Sequence, residues 1–492
     1  MAGTYKHGTY GEFAKSVSAV AIESGTTVVY VGVAPVNLVR GYATAGLVNQ
    51  PIHLLSFTEA QDKMGYSADW QKFSLCEAFK LHFNNIAGNV GGIVAINVLD
   101  PSVHKKASVT TEALTFVNGR ATIESDTIIL DTLVLADKVE GVDFSISYDH
   151  TAKKVIISSI GDKLSGSVTA TFSEIDTTGI TADTIIGGVT DEGEYTGLGA
   201  VELIYQTLGV IPNVIAAPGW SDTPAVYEAM ITAGTKINGH WDAFILADIP
   251  IKDGDTAVDT IAKAVEWAKA NGYDNERSKV CWPQAVNTSS EIFHVSTLCA
   301  WRMQLVDATH NGIPMETPSN KPVPIAKQYF SADSANAGFD QSRGNTLNAN
   351  GITTIVYFGG TWVLWGGHTA AYKHGAVSDN RVIFDNSVRM MMHITNSFQQ
   401  DWALTIDAPM TVALKDTIKQ REQEKADALA AVGALIGRPE VQFVQTANSI
   451  SSLIEGDFVW DFSGTPMPQF KSGTIRVAYT TSGFTSYFGE EV

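Results

Sequence analysis

The 492-residue sequence is short of the residues that staple or anchor a chain. It has three cysteines, Cys76, Cys281 and Cys299, with no CxxC pair, which excludes both a disulfide framework and a thiolate zinc site. They read as small core residues in a reducing compartment. Cations are scarce: 33 Lys plus Arg against 52 Asp plus Glu leave a formal charge of -19. Binding to nucleic acid by phosphate neutralisation needs clustered cations, so that class is excluded. No stretch reaches the roughly 18 consecutive apolar residues of a membrane span, and the opening MAGTYKHGTYGEFAKSV has no apolar leader core. The expectation is a soluble protein made in the cytosol, without a membrane span.

The motifs of common chemistries are missing as well. No glycine-rich loop ends in Gly-Lys-Ser or Gly-Lys-Thr and no GxGxxG follows a strand, so no nucleotide cradle is expected. The eleven histidines are scattered without HExxH spacing, which argues against a metal centre. His7, Gly8 and Thr9 resemble the histidine segment of subtilisin-type proteases, but no nucleophile segment appears later and the triad cannot be assembled. The expected catalytic, cofactor-binding and metal sites are therefore none.

What is present is a composition fit for large cores, 45% hydrophobic and 17% charged, at a length that exceeds one core. Residues 27–35 read as a buried strand, 70–85 as a helix with Leu75, Phe79 and Phe83 in register, and 92–98 as a second strand. From 108 to 188 the texture changes to short alternating runs of Thr, Ser, Ile and Val, the pattern of a separate β domain. The α/β alternation then resumes: strands at 213–217, 243–248 and 279–282, a helix opened by Thr223 and Pro224, and another over 256–271. A further helix is predicted from Thr288, where Thr-Ser-Ser-Glu has the form of a capping box. Such alternation implies a parallel sheet with helices on both faces.

Pro314, Pro318, Pro322 and Pro324 force an extended passage. Residues 352–358 and 362–365 form a hairpin about Gly359 and Gly360, with Tyr357, Phe358, Trp362 and Trp365 expected in core packing. Helices over 381–400 and 409–436 come next. The second carries Lys415, Lys419, Arg421 and Lys425 interleaved with acids, which reads as a solvated, salt-bridged face or a docking helix. Short strand-like segments lie at both ends, 17–22 and 475–479, each set off by Gly, Ser and Thr. A strand outside its own domain either docks back or pairs with another chain.

Four stretches resemble the tail sheath proteins of contractile bacteriophages and phage-tail-like bacteriocins. They are TVVYVGVAP with PIHLLSFTEA, the segment 78–100 with FKLHFNN and GIVAINV, VIAAPGWSD at 214–222, and LNANGITTI at 347–355 together with VLWGGHT at 363–369. The chain departs from that pattern at His368, where the family hairpin commonly carries Arg, and at 397–404, where a Pro-Asn is replaced.

The resemblance implies a structural polymer rather than an enzyme, without cofactors. Its fold would be an α/β core, a mixed sheet with helices on both faces of subtilisin-like type, with an inserted all-β domain and extended terminal arms. The implied division is an N-terminal arm at 1–24, core at 25–104, an inserted outer-surface β domain at 105–195, core with the C-terminal helices at 196–470, and a C-terminal arm at 471–492. Subunits would form hexameric rings stacked helically around a tail tube protein, between baseplate and tail terminator proteins, assembled in the host bacterial cytoplasm and carried on the virion. Contraction would drive the tube through the host envelope. The arm strands Val17, Ala19, Val20, Ile22, Ile475, Val477 and Tyr479 would pair with neighbours, and Lys415, Lys419 and Arg421 would face the tube. Repeated acidic surfaces repel, so polymerisation is expected to depend on salt. The alternative is a soluble α/β hydrolase with an unrecognised site, which deletion of residues 1–24 would leave active.

Overall fold

A computed structural model describes residues 22–161, 163–330, 338–376 and 379–489. Its centre is an eight-stranded sheet of β1 (Ile22–Gly32), β2 (Pro51–Leu54), β3 (Val90–Asn97), β4 (Val214–Ala216), β5 (Phe244–Asp248), β6 (Ser278–Cys281), β7 (Ile352–Phe358) and β8 (Thr361–Trp365). The spatial order is β2-β3-β1-β4-β5-β6-β7-β8. Six strands from β3 to β7 run parallel, and the edge strands β2 and β8 are antiparallel to their neighbours. The uninterrupted Val28-Val29-Tyr30-Val31 run of β1 is wholly buried, as expected for a strand between parallel neighbours.

The principal helices are α1 (Leu75–Phe83), α2 (Pro224–Ala233), α3 (Ile261–Ala270), α4 (Val295–Thr309), α5 (Asp385–Trp402) and α6 (Val412–Ala431). α4 is apolar nearly all round and packs on β1, β3, β4, β5 and β6, a helix made for the interior. Its one buried amide, Gln304, donates to the carbonyls of Thr26 at 2.7 Å and Gly92 at 3.1 Å, serving backbone where β1 breaks register.

Several elements differ from their sequence expectation. Ile22 belongs to β1, opposite Val90, not to an arm outside the core. The pairing shifts between Glu23 and Val28, at Gly25 with φ 71°, and then resumes on β3. Val17, Ala19 and Val20 lie outside the described residues. The Thr288 capping box does not open a helix: Asn287 Oδ1 accepts from the amides of Ser289 and Glu291, closing a turn that returns Ile292–Phe293 against Gln284–Val286. The helix there begins only at Val295. α3 starts at Ile261 under a Thr260 cap, not at 256. The last long helix ends at Ala431, because Gly433 with φ 80° turns the chain into a strand at Leu435. Trp362 and Trp365 pack against the main core as expected, whereas Tyr357 and Phe358 are exposed at the turn end of the hairpin, their rings against Trp362 and Trp365 respectively.

Residues between β3 and β4 form two three-stranded sheets, Thr110–Phe116 with Gly166–Phe172 and Val134–Leu135, and Arg120–Glu124 with Lys154–Ser159 and Phe144–Asp149. Alternate residues, among them Leu114, Phe116, Ile123, Val155, Ile157 and Phe172, close a second apolar cluster between them. Asn37 ties it to the main body by donating to the Ile128 carbonyl at 2.8 Å.

α5 is joined to the core by two buried ion pairs, one to the sheet and one to α4. Lys279 on β6, fully buried, places Nζ 2.8 Å from Asp385 and donates to Gly366 O at 2.7 Å and Thr353 Oγ1 at 3.0 Å. Arg389 grips Asp307 of α4, which also accepts from Thr26 Oγ1 at 2.8 Å. Three donors on one ammonium and a forked guanidinium on one carboxylate supply the partners that buried charges require.

Candidate functional site

In open α/β sheets, ligands bind beyond the carboxyl ends of the strands where the order reverses, here where β1 is flanked by β3 and β4. That place holds charged groups. Glu77 in the first turn of α1 accepts from the His294 amide at 2.7 Å and from His294 Nδ1 at 2.7 Å. Gln284 covers the other ring nitrogen at 3.0 Å. At the end of β5, the Asp248 carboxylate accepts from the Ser296 amide at 3.0 Å and from the hydroxyls of Ser296 and Ser221, the latter at 3.4 Å. Burial lowers the His294 pKa, but Glu77, then Asp248 and Asp222, outweigh it and raise it to about 9. Burial raises Asp248 to about 6 against the opposing pull of His294 and Ser296.

The cluster contains an acid, a histidine and serines, yet not in an arrangement that does chemistry. Both ring nitrogens of His294 are occupied, and both serine hydroxyls bond Asp248 rather than the imidazole, so no nucleophile meets a base. Its role is architectural. His294 is the N-cap residue of α4 and makes no side-chain cap, so Asp248 takes the orphan amide of the first turn from across the sheet. Neither serine nor Asp248 stands out in the sequence, because their meeting depends on strand order. Among the described residues no group of His, Cys, Asp and Glu could hold a metal, and no helix is long and apolar enough to cross a membrane.

The unusual surface lies at the other end of the chain. β9 (Leu435–Gln442) and β10 (Asp461–Pro466) pair antiparallel, Leu435 opposite Pro466 and Gln442 opposite Asp461. No third strand joins them among the described residues; on β9 the Gln423 side chain of α6 accepts from the Val441 amide and donates to the Pro439 carbonyl, each at 2.9 Å, so the open edge is that of β10. α6 packs on β9 and α5 on β10. The Asn386 amide, on α5, donates to the carbonyls of Met315 and Met467, each at 3.2 Å, which fixes the hairpin to the ion-paired helix. Beyond it Gln469 still holds Met315 O at 3.1 Å and Lys471 sits 5.6 Å over the Tyr372 ring.

From there to Thr480 the chain is extended and exposed. Ile475, Val477 and Tyr479, expected as a strand, pair with no strand among the described residues and are 86%, 85% and 83% exposed. Of the predicted helix cations, Lys415 pairs with Asp416 and lies over the Phe443 ring, Arg421 lies over Trp402, and Lys419 is exposed. They share one helix but meet no acidic partner group collectively.

The fold and site together define a structural α/β protein with an unsatisfied terminal segment. No family model matches the sequence. The chain is 25% identical to the tail sheath protein of Burkholderia phage BcepMu over 98% of each chain. It is 23% identical to the tail sheath protein of Escherichia phage P2, over 61% of this chain and 71% of that one. Among solved structures, it resembles the sheath complex of an extracellular contractile injection system in its contracted state, with a TM-score of 0.55 and 11% identity, covering 98% of this chain and all of the other. A chain of the anti-feeding prophage baseplate gives 0.56 at 11% identity over 97% of this chain. These relatives bear out the resemblance to tail sheath proteins, and with it a structural protein of contractile tails rather than an enzyme.

Proposed function

We propose that this chain is the repeating subunit of a contractile tail sheath that assembles as hexameric rings stacked helically on a tail tube, bounded by baseplate and terminator proteins. It is assembled in the host cytoplasm, carried on the virion, and shortens to drive the tube through the host envelope. The observation that carries the reading is the terminal segment: Ile475, Val477 and Tyr479 alternate along an exposed stretch that pairs with no strand among the described residues, while the same chain offers the open edge of β10. A strand that lacks a partner and an edge that lacks a strand are complementary, and satisfying each in another copy links copies into a polymer. The residues named for the N-terminal arm, Val17, Ala19 and Val20, are assigned the same role.

Strand exchange keeps copies connected while their rigid bodies rotate, so the ion-paired core can turn as a unit and the arms act as hinges. Shortening then needs no nucleotide, only an extended array trapped above a more stable one. The 105–195 segment, with its own apolar cluster, is assigned to the outer surface as an inserted domain of the subtilisin-like core, and Lys415, Lys419 and Arg421 of α6 to the tube. Negative-stain electron microscopy of the concentrated chain tests the reading. Hollow striated tubes are expected; compact particles at every ionic strength, with tube protein added, would sink it.

A further inference from the structure

Two features near the C-terminal end have no partner among the described residues. The first is the helix Ser482–Phe488, just beyond the exposed segment. Phe484, Tyr487 and Phe488 fall at i, i+3 and i+4, on one helical face, and are 56%, 83% and 62% exposed. Three large aromatics on one turn of an otherwise small helix have no reason to face water in a finished assembly, and such residues are the usual anchors of protein interfaces.

The second is a cavity of about 260 Å³ between α5 and α6, floored by Ile394, Ala426 and Leu429 and closed on one side by Phe462 of β10. An apolar cavity of about 150 Å³ admits a benzene-sized guest, so this one takes a ring with room to spare. Most of its lining is apolar, and of the polar groups on it, which include His393 and Ser397, Glu422 already accepts from Trp402 Nε1 at 2.7 Å and from Lys425 at 3.0 Å. The opening therefore asks for apolar bulk rather than charge.

We propose that the aromatic face of Ser482–Phe488 from one copy of the chain anchors in the α5/α6 cavity of a second copy. The inference rests on the strand-exchange reading and extends it. A strand formed by 475–479 on an edge of the β9/β10 hairpin would leave the helix, two residues further on, beside the hairpin that supplies Phe462. The ten exposed residues from 471 to 480 span at most about 35 Å, enough to leave their own body and too few to wander far from the surface they join. The added strand supplies backbone pairing, and the helix supplies side-chain recognition that fixes where the strand stops.

The test pairs Phe484→Cys with Val432→Cys at the cavity mouth, in the full chain, with copper phenanthroline as oxidant. The native thiols are buried and stay out of the reaction. Assembled tubes should give a ladder of disulfide-linked subunits on a non-reducing gel, absent from dilute subunits. Tubes with no ladder, or a crosslink confined within one chain, overturn the proposal while leaving the sheath reading intact. Failure of the parent chain to form tubes overturns both. A second variant, F484A with Y487A and F488A, changes only exposed side chains. It should keep the melting temperature of the unassembled subunit and raise the critical concentration for assembly at least about tenfold; an unchanged critical concentration counts against the anchor.

Discussion

The core and the last twenty residues of this chain obey the same chemistry with opposite results. Around α5, each buried charge has a partner: Lys279 has Asp385 and three oxygens, and Arg389 has Asp307. Between 471 and 489, apolar side chains face water and 475–479 pair with no strand among the described residues. That contrast separates a body whose charges are matched internally from a segment that, on the proposed reading, finds its partner in another molecule. The division also explains how a rigid body can move without losing its connections.

The largest contrast should come from deleting residues 474–489. Assembly, read by sedimentation, is expected to disappear, while the denaturation midpoint of the subunit stays put; a fall in that midpoint would show that the segment belongs to the folded body. Asp307→Ala should do the reverse. It strands Arg389 in the interior, and urea unfolding should show a loss of about 3–5 kcal/mol, the usual cost of breaking one side of a buried pair.

Smaller and more diagnostic is the response to pH. The folded pKa of His294 is raised from 6.5 to about 9, so its contribution is fully present below pH 6.5 and is lost as pH rises through about 9. Stability measured in urea should fall by on the order of 2 kcal/mol between those limits. Glu77→Gln should flatten that slope, and an unchanged slope would remove Glu77 as its cause. Asp248, raised to about 6, acts in a lower window: its folded form is favoured at acid pH and loses ground as pH climbs toward 6, so the two can be separated. The least effect is expected at the hairpin end, where Tyr357→Ala removes an exposed ring facing Trp362 and should cost under about 1 kcal/mol by thermal melting.

Much of the core is legible in the sequence because its signals are local. The runs of β1 and β3 and the opening of α2 by Thr223 and Pro224 are visible in windows of a dozen residues, as is the Gly359-Gly360 turn. The misreadings have one origin. Thr288 to Glu291 has the residues of a helix start, but Asn287 binds the same amides and closes a turn instead. Ile22 looks detached because glycine and serine lie just beyond it, yet β3 continues alongside it as a template. In both cases a competing partner, the adjacent Asn287 side chain in one and the distant strand β3 in the other, decided between two conformations that the residues allow.

The candidate site divides in the same way. Alternation at 475, 477 and 479 is a local signal of a strand; in the structure these residues are exposed and form no strand. The aromatic face of Ser482–Phe488 and the α5/α6 cavity carry no such local signal, since a cavity belongs to no single segment.

By itself the amino-acid order determined the alternation of strands and helices and the absence of a phosphate-cradle or metal-binding motif in the sequence; the first is a consequence of periods of two and of 3.6 residues. Only the tertiary structure decided that Asp248 caps a helix instead of serving a base, that Lys279 finds Asp385, and that the terminal aromatics remain uncovered. Those outcomes depend on which groups the strand order brings within a few ångströms, and on which groups it leaves for another chain to reach.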